Sequence, residues 1–293
     1  MTAALRALAA FAAASAGGML SVQLVAQLAA WRDDRMRPPC AADDVPSMAA
    51  RARAVLRETL LSLAILLAWP FGAGSPSRGR RGVIVLVHGF ASPPASFRIL
   101  ARRLRRDGWT VRAPRLGWWH DLAAAADRLA AHLDDVRREL GDVDLAIVAH
   151  GVGGLAARVL LQRDGPASGV RWLITLGTPH GGTTALPWLR LGPFQSDVRP
   201  GSHALRALGA TRFPAGAEAV AIASPDDAVL TPPESAHWPD ACNVSVQGSG
   251  HLGLLVSARV YELIVENLPQ GLDGRLDETS AVDAVAAASG RGE

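Results

Sequence analysis

The stretch LAIVAHGVGGLAARVLL, from Leu145 to Leu161, decides how this chain folds. Leu145–Val148 is a short apolar run of strand character, and Gly154–Gln162 carries helical periodicity. Only five residues, Ala149, His150, Gly151, Val152 and Gly153, turn one into the other. A turn that tight forces its central residue to positive φ and accepts only small neighbours, as in the G-x-S-x-G bend between a buried strand and a helix. The central place is Gly151, so the bend is kept while the side chain it would present is missing.

Working outward, Val83–Val87 (VIVLV) reads as another buried strand, followed by strands at Thr110–Ala113, Trp172–Leu176, Ala219–Ala223 and Asn243–Val246. Between them, Ser96–Arg106 sets Phe97, Leu100 and Leu104 on one face and arginines on the other. Asp121–Leu140 reads as a long helix and Leu252–Leu268 as a final one. Apolar runs alternating with amphipathic helices imply a mostly parallel central sheet flanked by helices. The expected α/β domain spans 79–268, and residues 269–293 lose periodicity and read as a flexible tail. There is no internal repeat.

Six stretches in this order resemble bacterial lipase-like α/β-hydrolases, in particular a group with membrane segments ahead of the catalytic domain. They are VLVHGF (85–90), AHGVGG (149–154), ITLGTPHGG (174–182), RPGSHALRAL (199–208), SPDDAVLTPPESA (224–236) and GSGHLGLL (248–255). The resemblance covers about two-thirds of the chain. It departs at Gly151, where the family has serine, and at Ala149, where it usually has glycine. It implies an α/β-hydrolase fold and a carboxylic-ester hydrolase lineage. Asp227, with Asp226 as the alternative, takes the place of the triad acid, and His251 that of the general base. The backbone N–H groups of Phe90 and Val152 become the oxyanion donors. A lid or cap is expected over 183–212, with His88, Trp118, Trp119, His180, Trp188 and Phe194 as pocket or lid candidates.

With the nucleophile position occupied by glycine, the sequence points to lost or much reduced hydrolysis and a retained apolar pocket for an acyl ester or lipid. Two alternatives stay open: an esterase using another nucleophile (Ser92 or Ser96) or a His251-activated water, and a membrane-tethered module that binds a protein partner.

The N-terminal region has a different character. Residues 7–30 are rich in alanine and leucine, and 55–74 form a denser apolar run. Six arginines (Arg32, Arg35, Arg37, Arg51, Arg53, Arg57) lie between the first run and the core of the second. The leading expectation is two transmembrane helices within residues 1–78. A signal peptide plus one anchor, and amphipathic helices covering the hydrolase domain, are the alternatives. Loop arginines weakly favour the large domain on the periplasmic side of a bacterial inner membrane.

Composition agrees with this apolar reading: 49% hydrophobic residues, 19% charged and a net charge of +3, all 30 basic residues being arginine. Thirty arginines against 27 acids form no concentrated basic stripe, which argues against nucleic acid. The cysteines, Cys40 and Cys242, match no metal spacing and read as unpaired thiols unless both lie in an oxidising compartment. VAHGVGG lacks the lysine of a phosphate-cradling loop, so the sequence implies neither metal nor cofactor.

Overall fold

Strands that are apolar along their whole length must be covered on both faces. In the computed structural model, which describes residues 48–75, 78–89, 92–117, 121–185 and 196–269, every residue of Val83–Val87 (β1) and Leu145–His150 (β3) is buried. These strands are the centre of a six-stranded sheet ordered β2-β1-β3-β4-β5-β6 and parallel throughout. The other strands are Thr110–Arg112 (β2), Val170–Leu176 (β4), Glu218–Ala223 (β5) and Cys242–Ser245 (β6).

Alternation along β1 and β3 divides the core in two. Val83, Val85, Val87, Leu145, Ile147 and Ala149 pack against helices Leu122–Leu140 (α3) and Gly153–Asp164 (α4). Ile84, Leu86, Ala146 and Val148 face the other way, against Arg98–Arg106 (α2) and Ala258–Glu266 (α6). Helix Met48–Ala68 (α1) joins this second layer through Ile65.

Three sequence expectations change. First, no helix among the described residues is long and apolar enough to cross a membrane. The run expected to span over 55–74 lies instead on the hydrolase domain, as α1 and a 3-10 turn at Trp69–Phe71. Its buried members include Glu58 and Ser62, polar groups satisfied by protein rather than offered to lipid. Residues 7–30 lie outside the described residues, as does Cys40, while Cys242 is a free, exposed thiol.

Second, the helix expected over Leu252–Leu268 is divided. A 3-10 turn covers Gly253–Leu255, and α6 begins at Ala258 because Ser257 caps it, its hydroxyl accepting from Val260 N–H at 3.4 Å. Third, the described part of the 183–212 insertion sends side chains into the core. Helix His203–Ala210 (α5), capped by Ser202, buries Leu205 and Leu208 beside Val198 in the α3–α4 layer. Residues 186–195, including Trp188 and Phe194, lie outside the described residues.

Candidate active site

The bend after β3 is built from main chain and glycine. Gly151 has φ +55°, the left-handed conformation its place demands, and its N–H donates to Leu176 O at 2.9 Å. The neighbouring loops leave the sheet in the same way: Gly177 N–H donates to Ile222 O at 2.8 Å, and Val246 N–H to Ala223 O at 2.8 Å. The turn is pressed against its surroundings. A Cβ on Gly153 would lie 2.5 Å from His88 O, and one on Gly154 2.1 Å from Thr178 Oγ1. Thr178 makes use of that closeness, its hydroxyl donating to Gly151 O at 2.7 Å.

His251 stands directly over the bend. A Cβ built on Gly151 would be 3.2 Å from His251 Nε2 and 3.4 Å from Cε1. On the other side of the ring, Nδ1–H donates to Asp227 Oδ2 at 2.7 Å. Asp227 is fully buried at its carboxylate, and its Oδ1 accepts from Val229 N–H at 2.8 Å. Of the two adjacent aspartates, Asp227 therefore meets the imidazole. Asp226 is turned away and accepts from Gly248 N–H at 2.6 Å. Gly177 makes this approach possible, since a Cβ there would fall 2.7 Å from Asp227 Oδ2. Burial works against protonation of His251. The Asp227 carboxylate, through charge and hydrogen bond, and then Glu58 outweigh it, so the ring's pKa is raised.

Asp227, His251 and Gly151 thus come together at the ends of β5, β6 and β3. The oxyanion side is described in part. Val152 opens α4, and a Cβ on Gly89 would lie 3.8 Å from its amide nitrogen, so the turn after β1 meets the first amide of the helix. Phe90, the other expected donor, lies outside the described residues, as do Trp118 and Trp119.

Two histidines expected at the pocket have other surroundings. His88 is buried, its Nδ1–H donating to Gly89 O at 2.9 Å while Nε2 accepts from Leu116 N–H at 3.3 Å. It ties the turn after β1 to the segment after β2, and burial lowers its pKa. His180 is stacked on Trp238 (centroids 4.6 Å apart) and bonded to Thr175 Oγ1 at 3.1 Å. Arg158 covers Trp238 at 4.8 Å, so His180 belongs to an interior stack and its pKa is lowered well below the ordinary value by burial.

The sequence reading missed His150. It sits immediately before Gly151, donates Nε2–H to His251 O at 3.0 Å and lies 4.2 Å from the His251 ring, centroid to centroid. Burial, then the charge of His251, pushes its pKa well down, so it is a neutral donor holding the base's backbone. Its place in the bend motif was the available signal. No cluster of three or more His, Cys, Asp or Glu among the described residues could hold a metal ion.

With this geometry defined, comparison with solved structures gives its class. The mature form of Bacillus licheniformis lipase BlEst2 superposes with a TM-score of 0.51 at 18% identity, over 66% of this chain and 93% of that one. The Listeria innocua lin2722 product gives 0.50 at 13%, over 63% and 92%. Lipase B of Aspergillus fumigatus gives 0.54 at 17%, over 65% of this chain and 53% of that one. No protein-family model matches the chain, and no curated protein sequence does. The chain has the α/β-hydrolase fold, with a parallel central sheet flanked by helices.

Proposed function

We propose that this chain is an α/β-hydrolase-fold protein of the carboxylic-ester hydrolase lineage in which acyl-ester or lipid binding has outlived serine catalysis. The observation that carries this is the pairing of Gly151 with His251 Nε2, 3.2 Å from where a Cβ would stand. Without an oxygen at that point no acyl-enzyme forms. The remaining route is direct hydrolysis. Water in the vacated space gives a proton to Nε2 as its oxygen attacks the ester carbonyl. The imidazolium, steadied by Asp227, returns that proton to the leaving alkoxide. A triad lacking one member retains on the order of 10³–10⁴-fold catalysis over water.

Gly151→Ser is the deciding experiment on the full chain. Wild type turns over p-nitrophenyl esters slowly and does not label with a fluorophosphonate. The serine variant gains stoichiometric labelling and ester hydrolysis. Wild-type turnover at the level of serine esterases would defeat the reading. The rival nucleophiles are weakly supported: Ser96 Oγ is engaged with Pro93 O at 2.8 Å, and Ser92 Oγ is buried. Probe-labelled wild type carrying the adduct on Ser92 would establish that rival.

Location at a membrane surface is part of the proposal. All six exposed large hydrophobics among the described residues lie on α1, its 3-10 extension and α2: Leu56, Leu60, Leu63, Leu67, Phe71 and Ile99. Along α1 an apolar groove of about 450 Å³ is bordered by Arg53 and Arg57, and α2 contributes five arginines and no acid. Leucine side chains beside arginines suit an anionic bilayer interface. Co-sedimentation with phosphatidylglycerol vesicles is expected, and is lost in Leu60→Asp/Leu67→Asp. Equal pelleting of that variant, or a concentration-dependent dimer with no vesicle binding, would reject the bilayer as partner.

A further inference from the structure

Leu56, Leu60, Leu63 and Leu67 of α1 are open to solvent, yet the one carboxylate of this helix is almost entirely buried. Glu58 is 1% exposed, and both its oxygens are spent on the loop that carries the base: Oε2 accepts from Leu252 N–H at 2.8 Å and Oε1 from Gly253 N–H at 2.9 Å. The fit is close enough to dictate a residue type. A Cβ on Gly250 would lie 2.5 Å from Glu58 Cδ. The adjacent Arg57 reaches the same loop, donating to Gly248 O at 3.1 Å. The loop 248–253 is therefore gripped at both ends by α1, while His150 holds the His251 carbonyl from β3.

We infer that Glu58 is a positioning residue for the general base: from a helix that precedes β1 and packs on the second core layer, its carboxylate clamps the Leu252 and Gly253 amides and fixes where the His251 imidazole stands. A buried carboxylate with two amide donors is a strong contact, and losing it leaves two buried N–H groups without an acceptor. Its charge also acts on the ring. The groups facing His251 among the described residues are Asp227 from the end of β5, His150 from the end of β3 and Glu58 from α1. Both carboxylates favour the protonated ring against burial, and neutral His150 adds a hydrogen bond at the backbone. The inference rests on the reading of His251 as base for its catalytic meaning only, since the contact can be measured without substrate.

The experiment is a pH titration of the His251 ring by NMR on the full chain, with amide hydrogen exchange at Leu252 and Gly253. In wild type both amides exchange slowly. Glu58→Gln keeps shape but removes the charge and one acceptor oxygen. The His251 midpoint then moves to lower pH, and at least one of the two amides exchanges on the order of tenfold faster. Glu58→Asp, which keeps the charge, restores part of the midpoint. Gly250→Ala forces the same contact apart from the other side and gives the same two changes, so it decides the matter if Glu58→Gln does not fold. A role confined to stability would leave the midpoint of the folded protein unmoved. The inference is overturned by unchanged midpoints in Glu58→Gln and Gly250→Ala, or by open-loop exchange rates in wild type. If the midpoint moves while Gly151→Ser gains no hydrolysis, the positioning role stands and the hydrolase reading falls.

Discussion

The bend at Gly151 and the loop around His251 face each other, yet they are secured in opposite ways. At the bend residue 151 has no side chain and the support is main chain and small residues: a positive φ, glycines against His88 O and Thr178, and a main-chain bond to Leu176. At the loop the His251 imidazole stands over the bend, and much of its support comes from distant side chains, Glu58 and Arg57 of α1 and His150 of β3. The first region is set by local sterics. The second is set by contacts between residues 101 to 195 positions apart. A place held by its own backbone can lose its functional group and keep its form, whereas a place held by remote side chains fails when any one of them goes.

The largest expected effect sharpens this contrast. Gly151→Ser restores the oxygen where the bend already has the required φ, and we expect a gain of at least about 100-fold in kcat/KM on short esters, within the range a triad member commands. The serine takes on backbone strain that glycine avoids, costing about 1–3 kcal/mol in urea unfolding. Next, adding Asp227→Asn to that variant should remove most of the gained kcat, because the imidazole then loses its orienting acceptor. Survival of the gained activity would break the link between loop and bend.

A smaller effect tests the sterics alone. Gly154→Ala drives a methyl into Thr178 and should cost about 1–3 kcal/mol of stability. Gly209→Ala, in α5 with nothing within 4 Å of the new Cβ, should be neutral or stabilising by up to about 1 kcal/mol. Equal denaturation midpoints for the two would show that the bend is looser than its distances imply.

The smallest effect is in pH dependence. His88, His132, His150 and His180 have lowered pKa values in the fold, burial being the first cause for each. The unfolded chain therefore takes up more protons than the folded one as pH drops below about 6.5, and stability falls with it. His251 has a raised pKa, so its contribution is fully present below about 6.5 and lost as pH rises through the folded value. Four rings against one predict a lower melting temperature at pH 5 than at pH 7. In Asp227→Asn the His251 contribution disappears and the fall on acidification becomes steeper. A melting temperature that rises on acidification would contradict the assignment of buried, neutral rings.

What could be read from the sequence follows the same division. VIVLV at 83–87 and LAIVAH at 145–150 announce strands covered on both faces, and the glycines after His150 announce the bend, because both patterns are local. Asp227, with Asp226 as its alternative, and His251 could be named only through the resemblance to lipase-like α/β-hydrolases, and the structure places Asp227 and His251 2.7 Å apart. Glu58 could not be found this way: on its own helix it is a lone acid in an apolar run, and its partners are 194 and 195 residues away. The same apolar run read as a membrane span, since hydropathy records residue types and not which side of a helix meets protein. The division of the last helix depends on Ser257 capping α6, a choice settled by the geometry of the loop before it.

The hydrogen bonds by which Gly151, Gly177 and Val246 continue the sheet into its outgoing loops have one more implication. They act as pegs at the rim, each spaced by the pairing of neighbouring strands and indifferent to what residue 151 carries beyond its Cα. Absence of the hydroxyl leaves no scar on this framework. A Cβ at that place would lie 3.2 Å from His251 Nε2 and ask the imidazole to yield by a few tenths of an ångström. The frame of the bend thus persists on the strength of folding alone, whatever side chain residue 151 carries.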